Sequence, residues 1–405
     1  MHKIERLLQT LAPKGVEFRK LGEVINILKG KQLNKELLLD YGEYPVMNGG
    51  IYASGYWNEY NTDYPKIIIS QGGASAGYVN YMTSKFWAGA HCYAIELNSE
   101  KLNYKFLYYF LKNSQTILMK SQFGAGIPAL NKADIETLTI PIPPLEIQQE
   151  IVKILDAFTE LNTELNTELK VRKKQYQYYQ NMLLDFNDIN SSHKDAKISA
   201  KTYPKHLKTL LQTLAPKGVE FRKLGEVCKI LDNRRIPIAK NKRNPGIYPY
   251  YGANGIQDYI DSYIFDGDFV LVGEDGSVIN KDNTPVVNWA SGKIWVNNHA
   301  HVLQAKNELK LKFLYFYLQT IDVSYCVAGT PPKINQENLK KLTIPIPPLE
   351  IQQEIVKILD QFSILTTDLL AGIPAEIKVR KKQYEYYREK LLTFKPLTPN
   401  KEVKK

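Results

Sequence analysis

The feature that most constrains the fold is a long internal repeat. Residues 7–24 (LLQTLAPKGVEFRKLGEV) recur without a change at 210–227, and residues 138–156 (LTIPIPPLEIQQEIVKILD) recur unchanged at 342–360. Between these identical blocks the two copies differ heavily, although their lengths differ by a single residue. A unit of about 200 residues is too long for a solenoid repeat of roughly 20–50 residues. The pattern therefore predicts a tandem duplication of a whole domain together with its connector.

Each copy ends in a connector whose apolar residues indicate a helix that needs a partner. Alternating steps of four and three residues form the heptad seam of a coiled coil. The seam consists of Ile147, Ile151, Ile154, Phe158, Leu161 and Leu165 in the first connector, and of Ile351, Ile355, Ile358, Phe362, Leu365 and Leu369 in the second. Two unrelated amphipathic helices on separate cores are the alternative. The matching seams favour one antiparallel coiled coil with a head at each end and pseudo-two-fold symmetry.

The two connectors differ in ways that affect their geometry. The first contains the tetrapeptide TELN written nearly three times at 159–169, and its steps of four residues predict local unwinding of the supercoil. The second has four more residues between its repeated blocks and contains Gly372 and Pro374. A proline inside a helix removes a hydrogen bond and clashes with the preceding turn. Pro374 is therefore predicted to kink or break the second connector.

These patterns together predict an α+β fold with two mixed α/β heads joined by two long helices. The expected boundaries are a first head at 1–145, a first connector helix at 146–186, a linker at 187–206, a second head at 207–349, a second connector helix at 350–394 and a disordered tail at 395–405. Within the heads, residues 67–70, 91–95, 269–272 and 299–303 are predicted as strands, and residues 105–112 and 312–319 as short helices.

Charge and cysteine content restrict the class of protein. Lys and Arg outnumber Asp and Glu by 53 to 42, a net charge of +11, which favours a polyanionic partner such as nucleic acid without proving one. Cys92, Cys228 and Cys326 are scattered, which argues against a disulfide or zinc framework and for a reducing cytoplasm. Because no apolar run of about 18 residues and no signal-peptide pattern are present, a membrane span and secretion are not expected.

The motifs that usually carry catalysis are missing from the sequence. It contains neither a phosphate-binding GxxxxGK[ST] loop nor a glycine motif in the strand-to-helix context of a dinucleotide site. The motif that amino-methyltransferases use on a flipped base, a nuclease-type acid pattern and runs of metal ligands are absent as well. We therefore expect no catalytic residue, no cofactor-binding residue and no metal ligand in this chain.

Two histidines and two basic clusters are candidate functional residues. His91 and His299 occupy matched positions in strand-like segments. For both, a structural role in or near the core is favoured over DNA contact, and catalysis is disfavoured. The basic clusters at 172–174 and 380–382 are expected to be solvated helix faces, with phosphate binding as the alternative.

Several blocks of this sequence resemble the specificity subunit of a type I restriction-modification system. They are LTIPIPPLEIQQEIVKILDAF (138–158) with its repeat from 342, the long helices that continue to RKKQY, APKGVEFRKLGEV at the start of each head, residues 250–278, and NNHAHVL (297–303). The resemblance covers almost the entire chain. The first head departs from it at 48–60, where NGGIYASGYWNEY stands in place of NGIQDYIDSY (254–263). Specificity is expected to vary in that part of the family.

The resemblance implies a function for each part of the chain. Each head would be a target-recognition domain that reads one half of an asymmetric DNA site, and the coiled coil would set the unread spacer. Two methyltransferase subunits, which bind S-adenosylmethionine and methylate adenine, would assemble on the coil. Restriction subunits, which are ATP- and Mg-dependent motor-nucleases, would join them in the cytoplasm. The alternatives are a fused enzyme with an unrecognised motif and a coiled-coil adaptor whose heads do not bind DNA.

The residues expected to contact DNA are polar or basic side chains in the loops of the heads, since bases are read in the grooves while cations hold the phosphates. In the first head they are Lys29, Lys31, Gln32, Asn48, Gln71, Ser75 and Tyr78. In the second head they are Arg234, Arg235, Lys240, Lys242, Arg243, Asn254, Ser277 and Lys281.

The tetrapeptide repeat predicts that the first connector acts as a ruler. One additional TELN unit would lengthen the helix by about 6 Å, at about 1.5 Å per residue. Because a base-pair step rises about 3.4 Å, the unread spacer should grow by one or two base pairs while both half-sites stay the same. Sequencing of methylated DNA from a host that carries this variant measures the change. An altered half-site sequence would contradict the prediction.

Overall fold

The computed structural model describes residues 2–124, 128–186, 203–276, 278–367 and 372–397, without the side chains of His2 and Thr367. The chain divides into two compact units. The first consists of Met1–Asn166 and Ile377–Lys405, and the second of Thr167–Glu376. Each unit therefore contains one head and parts of both connectors.

The first unit contains a mixed α/β head. Its helices are α1 (His2–Leu11), α2 (Tyr104–Asn113), α3 (Gln115–Lys120) and α4 (Lys132–Glu136), followed by the start of the first connector helix α5 (Leu145–Leu184). Its strands are β1 (Glu17–Lys20), β2 (Ile25–Lys29), β3 (Tyr44–Met47), β4 (Gly55–Trp57), β5 (Lys66–Ser70), β6 (Val79–Met82), β7 (Trp87–Ala88), β8 (Cys92–Leu97) and β9 (Thr139–Ile142). They form sheets of order β2-β8-β5-β6, β4-β3-β7 and β1-β9.

The second unit repeats this plan. Its helices are α6 (Lys205–Leu214), α7 (Leu224–Val227), α8 (Leu311–Leu318), α9 (Gln336–Lys341) and α10 (Leu349–Thr367), and α11 (Ile373–Leu391) begins in it. Its strands are β10 (Glu220–Lys223), β11 (Cys228–Ile230), β12 (Pro245–Gly252), β13 (Gly255–Ile260), β14 (Phe265–Gly273), β15 (Val287–Val296), β16 (Ala300–Ala305) and β17 (Thr343–Ile346). A six-stranded sheet of order β11-β16-β14-β15-β12-β13 accompanies a β10-β17 pair.

The strands and helices of the heads lie close to their predicted positions. Strands β5 and β14 contain the segments predicted at 67–70 and 269–272, and helices α2 and α8 contain most of those predicted at 105–112 and 312–319, which confirms these assignments. Strands β8 and β16 begin one residue later than predicted, at Cys92 and Ala300. His91 and His299 therefore precede their strands instead of lying in them.

The two connectors differ in continuity. Helix α5 runs without a break from Leu145 to Leu184, through the TELN repeat. In its described residues the second connector includes two helices, α10 and α11, and Pro374 occupies the second position of α11. Proline is tolerated there because the first-turn N–H groups have no helical acceptor. Gly372 has a φ of +149° and lies so close to the main chain at Ile364 that a Cβ would contact its carbonyl oxygen at 2.5 Å.

The start of each predicted seam faces a head. Ile147 and Ile151 are fully buried in the first head core, and Ile351 and Ile355 are buried in the second. The next buried residue on each helix lies four residues after Ile151 or Ile355, at a position that the predicted heptad seam does not include. Leu155 and Leu359 are fully buried in these cores, whereas Ile154 and Ile358 are only partly buried. Leu365 is 36% exposed, and Leu369 lies outside the described residues. Steps of four keep one helix face on the head.

In each unit, the beginning of one connector packs against the end of the other. In the first unit the ring of Phe158 stacks on Tyr387, with centroids 5.5 Å apart. In the second unit Tyr179 stacks on Phe362 at 5.2 Å. Start-to-end pairing in both units agrees with the predicted antiparallel arrangement. The fold is two mixed α/β domains with long paired connector helices, as predicted.

The end of the chain that the structure describes is not the disordered tail expected from residue 395. Val16 N donates to the carbonyl oxygen of Lys395 at 2.9 Å, and Leu397 N donates to that of Val16 at 3.0 Å. Phe394 packs on Phe106, with ring centroids 6.4 Å apart. These contacts satisfy main-chain groups and partly bury an aromatic ring, so residues 395–397 belong to the first unit. Residues 398–405 lie outside the described part of the chain.

A membrane-spanning role finds no support in the helices that the structure describes, since none of them combines the necessary length and apolarity.

A fully buried glutamine attaches the start of each connector to its head. The side chain of Gln148 accepts a hydrogen bond from Asn103 N at 2.7 Å and donates to the carbonyl oxygens of Lys101 at 2.8 Å and Pro143 at 2.6 Å. Gln352 makes the same three types of bond in the second unit, at 2.7, 3.0 and 2.7 Å. Each amide therefore satisfies three main-chain groups where the connector leaves its head, one of them in a fully buried bond.

These glutamines predict a stability difference between neighbouring positions. We expect Gln148→Leu and Gln352→Leu each to lower the free energy of unfolding by about 3 kcal/mol, because three hydrogen bonds are lost at about 1 kcal/mol each. The neighbours Gln149 and Gln353 are exposed, so their replacement by Leu should change stability by less than about 0.5 kcal/mol. Urea denaturation of the full chain measures both pairs. Equal effects at buried and exposed positions would contradict this assignment.

Candidate nucleic-acid interface

Two loops meet at the same place in each head. In the first head they are residues 71–77, after β5, and residues 128–131, before α4; Gly73 N donates to Pro128 O at 2.8 Å. In the second head they are residues 274–279, after β14, and residues 327–334, before α9; Gly276 N donates to Pro332 O at 3.0 Å. We refer to these as the loop pairs. Residue 277 lies outside the described part of the second pair.

His91 and His299 lie beside the loop pairs and are not core residues, contrary to the favoured expectation. The side chain of His91 is exposed, and that of His299 is 47% exposed. Each residue precedes a strand, so the alternation of the strand does not direct it inward. Their main chains are held alike, since His91 N donates to Asn48 Oδ1 at 3.2 Å and His299 N donates to Asn297 Oδ1 at 2.8 Å.

The surroundings of the two imidazole rings differ. His299 Nδ1 is hydrogen-bonded to the carboxylate of Asp275. The first head has Gly72 at the corresponding point, where an added Cβ would lie 3.5 Å from His91 Nδ1. The matched histidines therefore share a main-chain setting, but only that of the second head has a carboxylate partner in its loop pair.

A buried ion-pair network supports the second loop pair. His301 is fully buried, with Nδ1 2.6 Å from Asp232 Oδ2 and Nε2 2.8 Å from the carbonyl oxygen of Ile334. Arg235 bonds to Glu274 at 2.5 Å and to Asp232 at 3.5 Å. Burial raises the pKa of the Asp232 carboxyl, but the hydrogen bond from His301 and the charges of His301 and Arg235 outweigh it and hold that pKa below its usual value.

The same network has the residue types of a metal site, but its ligand atoms are already paired with other protein groups. Ligand atoms of Asp232, Glu274 and His301 lie within 4.8 Å of one another. Both ring nitrogens of His301 already face acceptors, and the guanidinium of Arg235 is already paired with the carboxylates of Asp232 and Glu274. The cluster is thus complete as an ion-pair network and does not fit a cation.

The first loop pair is supported by neutral groups instead. Tyr93 takes the place of His301, and its hydroxyl donates to the carbonyl oxygen of Leu130 at 3.3 Å. Burial raises the pKa of Tyr93, which keeps the hydroxyl protonated. Gln71 takes the place of the glutamate, and its main chain joins both loops as an acceptor from Leu130 N at 2.8 Å. One frame is therefore built from ion pairs in one head and from neutral hydrogen bonds in the other.

Only part of the basic loop at 233–246 is available to a ligand. Arg235 has a side chain only 11% exposed and is paired with Asp232 and Glu274 in the buried network, which disfavours its predicted role as a DNA contact. Arg243 is 14% exposed, stacks 4.1 Å from the ring centre of Tyr250 and bonds to Asp258 at 3.3 Å. It likewise anchors the loop. The exposed cations are Arg234, Lys240 and Lys242.

In the first head, Lys29 is the last residue of β2, and Lys31 and Gln32 lie in the loop that follows it. Lys29, Lys31 and Gln32 are exposed, and the two lysines line a cavity of about 320 Å³. The loop is held by the indole of Trp87, whose Nε1 donates to Lys31 O at 3.1 Å. In the second head the indole of Trp295 holds Ile236 O in the same way at 2.6 Å.

The remaining predicted residues are scattered among several settings. Asn254, at the tip of the β12–β13 hairpin, and Lys281 are exposed. Ser75 and Tyr78 are half-buried within the first loop pair, where Tyr78 N donates to Ser75 O at 2.9 Å and Lys112 Nζ lies 4.0 Å from the Tyr78 ring centre. Burial and, to a lesser extent, Arg388 lower the pKa of Lys112 to about 8. Ser277 lies outside the described residues.

The structure brings Asn48 and Gln71 together around His91. In the basic loop of the second head, Arg235 and Arg243 are paired with carboxylates, whereas the other predicted cations are exposed. Sequence reasoning missed the exposure of the two histidines and the Asp275 partner of His299. A usable signal was present, since NNH at 297–299 has the asparagines of a turn before the strand.

Comparison with known proteins agrees with this organisation. The family model for the type I restriction modification DNA specificity domain matches residues 13–200 and again residues 216–379. A putative type I restriction enzyme specificity subunit of Haemophilus influenzae is 44% identical over 196 residues, which are 47% of this chain and 50% of that protein. The chain thus spans about half the length of this relative. A specificity subunit of an Escherichia coli type I restriction enzyme is 28% identical over 442 residues, which cover 98% of each.

A solved structure shows the same fold. The S subunit of a type I restriction-modification system from M. genitalium superposes with a TM-score of 0.60 at 21% identity, covering 93% of this chain and 95% of that chain. The two family matches coincide with the two heads and most of their connectors. This chain therefore belongs to the family of type I restriction-modification DNA specificity domains, and it carries that domain twice.

Proposed function

We propose that this chain is the DNA sequence-recognition subunit of a type I restriction-modification complex. Each head reads one half of an asymmetric bipartite site, and the paired connectors set the unread spacer. The observation that carries this proposal is that the two heads share the same main-chain arrangement of the loop pairs but present different side chains on it. Main-chain bonds of the loop pairs are repeated between the heads, whereas the side chains around them change from Gly72 to Asp275.

The exposed charges suit DNA as the ligand. Sequence is read through hydrogen bonds to base edges, while cations bind the phosphates and fix the register. Lys240 and Lys242 are exposed in the basic loop of the second head, and Lys29 and Lys31 are exposed at the end of β2 and just after it in the first. The net charge of +11 adds attraction for a polyanion at longer range.

The connectors support docking of two equivalent partner subunits. Matched apolar side chains remain exposed in both copies: Val171 at 58% and Tyr178 at 61%, Val379 at 54% and Tyr386 at 58%. Exposed apolar groups at repeated positions are suited to burial by a partner. We assign them to two methyltransferase subunits that bind S-adenosylmethionine and methylate adenine. Restriction subunits that use ATP and Mg would complete the assembly in the cytoplasm, and this chain would contribute no catalytic group.

Reconstitution tests the proposed function. The chain is co-expressed with a type I methyltransferase subunit, and methylated adenines are mapped across the host genome. We expect one asymmetric bipartite motif with an unread spacer, and no methyl transfer by the purified chain alone. Methylation by the isolated chain, or a complex that marks no bipartite motif, would overturn the proposal.

The exposed lysines of the second head predict a sequence-independent contribution to affinity. Lys240→Ala with Lys242→Ala should weaken binding to all duplexes alike and reduce the slope of log K against log salt by about 0.9 for each lost phosphate contact. Anisotropy titrations of the complex at several salt concentrations measure this slope. Lys217→Ala is the control, because this exposed lysine lies in an identical block of the repeat. Loss of affinity for one sequence only would contradict the prediction.

A further inference from the structure

We infer that His91 and His299 are matched base-contacting residues of the two heads, and that Asp275 makes them unequal by fixing the ring of His299. This inference rests on the proposed function, because it assigns specificity within the DNA-reading surface. It concerns two residues whose sequence pattern favoured a structural role.

The main chain of each histidine is fixed on both sides. Besides the bond from its N–H to an asparagine side chain, each carbonyl oxygen accepts from the first residue of its loop pair. Gln71 N donates to His91 O and Glu274 N donates to His299 O, both at 2.9 Å. The origin of the side chain is thus rigid in both heads. Rigid placement of an exposed polar ring is what a base contact requires.

The location of the rings favours a ligand over a purely structural role. The Cβ of His91 lies 3.1 Å from the position where a Cβ on Gly49 would sit, and its ring lies beside Gly72. Glycines on both sides leave the ring open and let a large ligand approach. A histidine that only filled the core would be buried, as His301 is two residues after His299.

Asp275 gives the second head a feature that the first lacks. Because the carboxylate accepts from Nδ1–H of His299, the orientation and the protonated nitrogen of the ring are set, and Nε2 remains to meet a base edge. Gly72 stands at the corresponding place beside His91 and offers its ring no side-chain acceptor. An oriented ring should discriminate between bases more sharply than a free one.

Variants in the reconstituted methyltransferase complex separate reading from folding. His299→Ala should relax the second half-site at one position by on the order of tenfold in relative affinity, while the first half-site and the spacer stay unchanged. Asp275→Asn should relax the same position. His91→Ala should affect only the first half-site. His206→Ala is the control, since this histidine is also exposed, at 68%, but lies on α6.

The converse variant is Gly72→Asp, which places a carboxylate beside His91. Gly72 has no left-handed backbone and its added Cβ meets only ordinary contacts, so the chain should fold. We expect a changed preference at one position of the first half-site alone. The readout is competition anisotropy against duplexes carrying each base pair at each position, with thermal unfolding recorded in parallel.

The outcomes distinguish this inference from the proposed function. If His299→Ala leaves the half-site unchanged, or weakens all duplexes equally, the histidine is structural and the inference is wrong. If only Asp275→Asn and Gly72→Asp are without effect, the part of the inference that concerns the carboxylate is wrong. If the unaltered complex recognises no bipartite site, the proposed function itself fails.

Discussion

The buried amides of Gln148 and Gln352 hold each connector to the head that precedes it. Each satisfies three main-chain groups, so a helix that begins at the head surface can bury the adjacent Ile147 or Ile351 without leaving these polar groups unpaired. The end of the other connector then packs on the same helix, through Tyr387 in the first unit and Tyr179 in the second. Both glutamines lie in sequence that is identical in the two copies, whereas two of the three main-chain partners of each belong to residues that differ between the copies.

Away from this attachment, the two heads share the main-chain arrangement of their loop pairs but support it with different side chains. The loop pair of the first head is supported by Tyr93 and Gln71, and that of the second by an ion-pair network around His301. A buried ion pair is rarely more stabilising than a neutral replacement, but an unpaired buried charge is costly. Changes at these positions must therefore occur together. Outside the buried frame, a surface position such as Gly72 or Asp275 can change alone, which suits a fold whose specificity varies.

Particular residues show where sequence reasoning succeeded and where it stopped. The repeat and the seam predicted two heads and paired helices, because the same spacing of apolar residues requires each connector to bury the same helix face. The heptad rule missed Leu155 and Leu359, since a helix that packs on a domain follows steps of four toward that domain. Arg235 and Arg243 looked like DNA contacts from their loop composition, yet both are occupied by nearby carboxylates. His91 and His299 looked like strand residues and are exposed, because each strand begins one residue later.

The sequence by itself determined the duplication, the helical connectors with the break near Pro374, the mixed α/β character of the heads and the basic charge. These properties follow from local spacing, composition and self-similarity. Only the tertiary structure decided which cations are available, which glutamine of each QQ pair is buried, and which histidines face outward. Those outcomes depend on partners far apart in the chain, such as Arg235 with Glu274 and His299 with Asp275, whose proximity no local pattern encodes.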